Sequence, residues 1–120
     1  MAGEGGDGII LIDTLTPETA ASLSLEDKQR LLMELAARKL EILREMRPLR
    51  EGHGDYKKYS TIARTLPPND EQRAYHINMM GENADAFQEF EDLIFESKVL
   101  TSIQSAVQTS AKAEMAAMVI

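Results

Sequence analysis

The feature that most constrains this fold is a helical pattern that runs from Asp70 almost to the last residue. Leu93, Leu100 and Val107 recur in it at intervals of seven, which places them on one side of a helix. Gly81 is the one weak point, where glycine predicts a kink or a cap. A continuous helix over 84–118 would be about 52 Å long. It would extend beyond its own domain, because a globule of this length has a radius of gyration of only about 14 Å.

The last part of this pattern is almost uncharged. Between residues 99 and 120 only Lys112 and Glu114 carry a charge, and the positions off the apolar stripe are Ser, Thr, Gln or Ala. Such side chains let helices approach without stranding a charge, which favours a helix enclosed by protein inside an assembly. The alternative is a neutral or poorly ordered tail. The intersubunit contact predicted on this helix comprises Leu93, Leu100, Ile103, Val107, Met115 and Met118.

Residues 24–50 carry the clearest amphipathic helix. Ser24 is a good N-cap, since its hydroxyl can accept a hydrogen bond from a free amide of the first turn. Apolar residues then recur at intervals of seven, and Lys28 and Lys39 interrupt the repeat. The apolar stripe is wider than a two-helix seam requires, so more than one neighbouring helix is expected.

Proline and glycine predict where this helix stops. Pro48 disfavours helical backbone at the residue before it, so the helix is expected to end or kink there. Gly52 and Gly54 are predicted to make the break. A shorter amphipathic helix is predicted over 55–66, and the sequence "PPND" at 67–70 ends it and starts the next one.

The first 23 residues predict an arm that precedes a helical domain over 24–120. Residues 1–8 are rich in glycine and acidic, a composition typical of a flexible tail. Thr16 and Pro17 are a helix-start signature, which predicts one or two helical turns. A short apolar run is predicted to dock on the surface of another subunit, or else to tether the arm to the chain's own helices; it comprises Ile9, Ile10, Leu11 and Ile12.

The hydrophobic composition supports a helical core. Hydrophobic residues make up 43% of the chain, yet it has only three Phe, three Tyr and no Trp. Aromatic residues supply much of the buried area in compact cores, so this core is expected to consist of Leu, Ile, Met and Ala. The predicted fold is all-α: a helical hairpin or small bundle with a long C-terminal helix and an extended N-terminal arm.

Charge is distributed unevenly along the chain. The net charge is −7, which disfavours nucleic acid as a partner. Residues 28–64 nevertheless hold ten basic against five acidic residues, and residues 65–97 hold eight acidic residues against one basic residue. The basic segment is therefore predicted to face the acidic one, within a chain or between neighbours. A nucleic-acid-associated protein is nevertheless kept as a hypothesis, the third after the two given below. Tyr56 and Tyr59 flank two of the lysines, and such side chains can contact phosphate or stack on a base.

The sequence contains no constellation typical of catalysis, of a metal site or of a cofactor site. There is no cysteine, and His53 and His76 lack the spacing of metal ligands. A G-x-G-x-x-G match within residues 3–8 has no room for the preceding strand that a dinucleotide site needs. The carboxylates of residues 89–96 are better explained as an acidic face than as an acid–base pair. The chain is therefore predicted not to be an enzyme and to need no cofactor.

These observations favour a subunit that packs through its helices into a larger homo-oligomeric or multiprotein particle. The architecture resembles that of small helical subunits of phage particles and secretion rods, with no motif specific to either. The second hypothesis is a small adaptor or regulator that binds a partner helix. No membrane span and no secretory signal are expected, so the predicted location is the cytoplasm or an assembled particle. The expected partners are proteins: copies of the chain and other subunits.

Overall fold

The computed structural model describes residues 15–119, and these residues are almost entirely helical. Helix α1 spans Pro17–Ala21, α2 spans Leu25–Met46, a short 3₁₀ helix spans Arg47–Leu49, α3 spans Arg50–Thr65 and α4 spans Glu71–Val119. The described residues include no strand. The predicted all-α fold with a long C-terminal helix is confirmed. Residues 1–14, with the predicted arm Ile9–Ile12, lie outside the described residues.

The first two helices begin where the sequence predicts, because each start is fixed by a local hydrogen bond. The Thr16 hydroxyl accepts from the amide of Thr19 at 3.1 Å, and Pro17 occupies the first turn of α1. The Ser24 hydroxyl accepts from the amide of Asp27 at 3.1 Å at the start of α2. Each cap satisfies an amide that has no partner within its own helix.

The break after α2 is made by proline alone. Met46 ends α2, and Pro48 lies inside the 3₁₀ helix that follows, so the predicted end of the helix is confirmed. The prediction that Gly52 and Gly54 make the break is wrong, because both lie within α3. Gly52 instead permits a close helix contact: a Cβ built at this position would lie 2.8 Å from the Cβ of Ala86 on α4.

Helix α4 is continuous over 49 residues. It follows the predicted stop at 67–70, where the Asp70 carboxylate accepts from the amide of Gln72 at 2.8 Å. The helix runs through Gly81 without interruption, so the predicted cap is wrong. Gly81 is exposed and nothing lies near a Cβ built there, so it costs the helix only propensity.

The chain divides into two compact units, and α2 and α4 each contribute to both. Of the described residues, the first unit contains 15–41 and 96–119, and the second contains Ile42–Phe95. In the first unit α1, α2 and α4 share an aliphatic core. Its buried residues are Ala20, Leu31, Leu35, Leu100, Ile103, Val107 and Ala111. The predicted boundary at residue 24 stays a prediction, although Ala20 of α1 is fully buried in this unit.

Aromatic rings hold the second unit together between α3 and the first half of α4. The His53 ring stacks on Phe87 and Phe90, with centroid distances of 5.0 and 4.1 Å. Tyr56 also stacks on Phe87, at 4.2 Å. His53 lies on α3, between the two glycines that were predicted to break the helix, and its Nε2 is 2.8 Å from a carboxylate oxygen of Glu91.

Candidate assembly surface

Two lysines that interrupt the apolar repeat of α2 join it to α4 in the first unit. The Lys28 side chain is completely buried, and its Nζ binds the Glu114 carboxylate and lies 2.6 Å from the Ser110 hydroxyl. Lys39 Nζ donates to the side-chain oxygen of Gln104 at 3.0 Å. As residue numbers rise along α2, partner numbers fall along α4, so the two helices pack antiparallel. Polar pairs at such positions fix the register of a helix pair.

Arg38 and Glu96 form a bidentate ion pair in the same unit. Arg38 Nε and one of its terminal nitrogens donate to the two Glu96 oxygens at 2.6 and 2.8 Å. These hydrogen bonds lower the pKa of the Glu96 carboxyl below its ordinary value of 4.5, against an opposing effect of burial. The pair joins the basic segment to the acidic one and confirms that part of the charge prediction. Lys28 and Lys39 instead reach partners beyond the acidic segment.

Most residues of the predicted intersubunit stripe are buried within this chain. Leu100, Ile103 and Val107 are at most 1% exposed in the core of the first unit, and Leu93 is buried in the second. Their contact with another subunit stays a prediction, and it requires that this packing open. The uncharged sequence around them did not distinguish an intrachain core from an interface, because both exclude water.

The stripe becomes exposed near its C-terminal end. Met118 lies eleven residues after Val107, which places it on the same side of α4, yet 73% of it is exposed. Met115 and Val119 are also exposed. We call Met115, Met118 and Val119 the apolar end. Large apolar side chains grouped in this way are typical of a contact surface.

Between residues 99 and 113, a second side of α4 is exposed and carries no charge; the exposed Lys98 lies just before it, one turn from Ser102. We call it the uncharged face; it comprises Val99, Ser102, Ala106, Thr109 and Ala113. Its residues recur at alternating intervals of three and four, which aligns them along one side of a helix. Four of them are exposed and Ala106 is half-buried. Glu114 is engaged by Lys28, and Lys112 projects well to the side of this face.

Helix α2 also leaves apolar side chains in water within the first unit. Met33 and Leu40 are exposed, and they lie on one side of the helix with the small residues Ala36 and Ala37 between them. The wide apolar stripe of α2 predicts that this helix meets more than one neighbour. The described part of the chain leaves this side of α2 uncovered.

Tyrosine and histidine side chains close the end of the second unit where α3 meets the start of α4. The Tyr59 ring packs edge-on against Tyr75, with ring centroids 6.4 Å apart. It is tilted against His76, with ring centroids 5.6 Å apart. Partial desolvation and the neighbouring Tyr75 raise the pKa of Tyr59 above its ordinary value of 10.0. The His76 Nδ1 donates to the carbonyl oxygen of Gln72 at 2.7 Å, so this histidine is bonded within its own helix.

Searches against protein-family models, curated proteins and solved structures found no match to this chain. Within residues 15–119 no helix is both long and apolar enough to cross a membrane. The same residues include no group of three or more His, Asp and Glu side chains placed to hold a metal ion.

Proposed function

We propose that this chain is a non-enzymatic assembly subunit that packs against copies of itself, or against other subunits of a particle, through α4. The uncharged face carries the proposal. A helix that has already buried one side in its own chain would ordinarily present Lys, Glu or Arg to water on the other. Here Val99, Ser102, Ala106, Thr109 and Ala113 occupy that second side.

Small side chains make this face suited to another helix. Ser, Thr and Ala allow two backbones to approach closely, since the distance between helix axes depends on the side chains at the contact. Hydroxyl groups of Ser102 and Thr109 can hydrogen-bond across such a contact, so they need not be stranded. The apolar end adds Met115, Met118 and Val119, whose burial is favourable by the hydrophobic effect.

Two neighbouring positions test the proposal. Ser102 lies on the uncharged face, whereas Thr101 is also exposed but points about 100° away around the helix. We expect Ser102→Lys to lower the assembled mass by placing an ammonium group in the contact, and Thr101→Lys to leave it unchanged. Size-exclusion chromatography with light scattering measures both. A parent chain that stays monomeric at high concentration would contradict self-assembly, as would equal assembly of the two variants.

The adaptor hypothesis is the second candidate, and the exposed side of α2 favours it. Met33 and Leu40 could receive one helix of a different protein without any self-association. A monomeric parent would move the proposal to this candidate.

Unpaired cations support the third candidate, a nucleic-acid-associated protein. Arg44, Arg47, Arg50, Lys57 and Arg64 are exposed and form no ion pair with any residue in 15–119. The net charge of −7 acts against it.

A further inference from the structure

A cleft of about 330 Å³ opens in the second unit between α3 and α4. Lys57, Ser60, Thr61 and Arg64 line it from α3, with Tyr56 beside them, and Phe87 and Glu91 line it from α4. Its volume is at the lower end of the range typical of small-molecule sites. The assembly proposal uses none of these residues.

The α3 side of the cleft is cationic. Lys57 and Arg64 are seven residues apart, which places both on one side of α3, about 10 Å apart along its axis. Both are exposed, and neither forms an ion pair with a residue in the described part of the chain. Arg and Lys placed in this way are the common protein ligands of phosphate and carboxylate groups.

A buried hydroxyl lies between the two cations. Ser60 is only 8% exposed, and its hydroxyl forms no hydrogen bond with any described residue, not even with the preceding turn of its own helix. Thr61 and Thr65, in contrast, donate to backbone carbonyls of α3. Buried hydroxyls are normally hydrogen-bonded, so this one is available to a bound molecule.

The α4 side of the cleft has the opposite chemistry. One carboxylate oxygen of Glu91 is held by His53 at 2.8 Å, which orients the group and leaves its remaining acceptor capacity for a donor in the cleft. Phe87 is fixed by its stacking on Tyr56 and His53 and supplies an apolar surface next to the carboxylate. A molecule that fits both sides is anionic at one end and donates a hydrogen bond at the other.

We infer that this cleft binds a small phosphorylated molecule that carries an amine or hydroxyl at its other end. The phosphate lies against Lys57 and Arg64 and takes the hydrogen bond of Ser60. The amine or hydroxyl donates to Glu91. This site is independent of the assembly surface, because the uncharged face and the apolar end belong to the first unit.

Isothermal titration calorimetry of the full chain with phosphoethanolamine tests the inference. We expect saturable binding that weakens roughly tenfold in Arg64→Gln, since a charge-assisted hydrogen bond is lost. Arg44→Gln is the matched control: it removes the same charge from an exposed position of the same unit, outside the cleft, and should bind like the parent. Both positions are exposed, so neither change should affect folding.

Further probes separate the two ends of the ligand. Ethyl phosphate lacks the amine, so it should bind the parent more weakly than phosphoethanolamine does. The two probes should bind Glu91→Gln with equal affinity. Ser60→Ala should weaken both phosphate probes. The inference is overturned if neither phosphate probe binds saturably, or if Arg44→Gln weakens binding as much as Arg64→Gln. It is also overturned if a single-stranded oligonucleotide binds far more tightly with the same dependence on Arg64, because nucleic acid would then be the ligand.

Discussion

At the scale of single residues, the ion pair of Arg38 with Glu96 makes the stability of the first unit depend on pH. Arg38 lowers the pKa of Glu96 in the folded chain, so the Glu96 carboxylate binds a proton more tightly in the unfolded chain than in the folded one. The stabilisation is therefore complete above the ordinary pKa of 4.5 and is lost as the pH falls through the lower folded value. Both side chains are partly exposed, which limits the contribution to about 1 kcal/mol.

We predict that Glu96→Gln lowers the free energy of unfolding at neutral pH by about 1 kcal/mol or less. The difference between variant and parent should shrink as the pH is lowered below 4.5, because the parent then loses the same interaction. Urea denaturation at a series of pH values measures both. Glu89→Gln is the control, since Glu89 is exposed and pairs with no described residue. A difference that stays constant across this range would argue against the pair as its cause.

Lys28 and Lys39 show where residue-level reasoning from the sequence stops. Each lysine could be recognised in the sequence as an interruption of the apolar repeat of α2. The repeat does not predict which residue each lysine binds. Ser110, Glu114 and Gln104 are more than sixty residues away along the chain, and only the antiparallel packing brings them into reach. The same limit applies to Glu91, whose bond to His53 spans 38 residues.

At the scale of helices, starts and stops follow local chemistry and were predictable. Thr16, Ser24 and Asp70 accept hydrogen bonds from amides two or three residues onward, and Pro48 acts on its immediate neighbour. Gly52 was misinterpreted because its role lies in the contact of α3 with Ala86 on another helix. Gly81 was misinterpreted because a continuous apolar pattern on both sides outweighs the low helix propensity of one glycine.

Two glycines of α3 make a matched test of that contact. Gly52→Ala should destabilise the chain by about 1–3 kcal/mol, because the new methyl group would overlap Ala86 and α3 would have to shift. Gly54→Ala should stabilise it by about 0.5–1 kcal/mol, since that position has open space and alanine favours helix. Thermal or urea denaturation measures both free energies. If the two variants change stability in the same direction, close packing at Gly52 is not what the glycine provides.

At the scale of the whole molecule, the question is which surfaces of α4 are used inside the chain and which remain for a partner. Val107 is fully buried in the first unit, whereas Ser102 is exposed on the uncharged face. The low charge of this segment was evident in the sequence. The sequence did not show which side of this segment is buried within the chain and which is left exposed. A repeat of seven is equally consistent with an intrachain core and with an intersubunit interface.

We predict that Val107→Lys lowers the free energy of unfolding by at least about 3 kcal/mol, because an unpaired ammonium would enter an aliphatic core. Ser102→Lys should change it by no more than about 0.5 kcal/mol, as exposed substitutions generally do. Circular dichroism during urea denaturation, at a concentration where the parent is monomeric, measures both. If Val107→Lys keeps the stability of the parent but no longer assembles, Val107 lies in an intersubunit contact, as predicted from the sequence.

Because Lys28 is buried, its chemical modification would report on the separation of the helices in the first unit. Its amine is enclosed and bonded to Glu114 and Ser110, whereas Lys57, Lys58, Lys98 and Lys112 are exposed. An acylating reagent can reach the Lys28 amine only in molecules whose α1, α2 and α4 have separated, so its rate of modification there follows the frequency of that opening. Once acylated, Lys28 has lost its charge and gained bulk, and the opened form cannot return to the same packing.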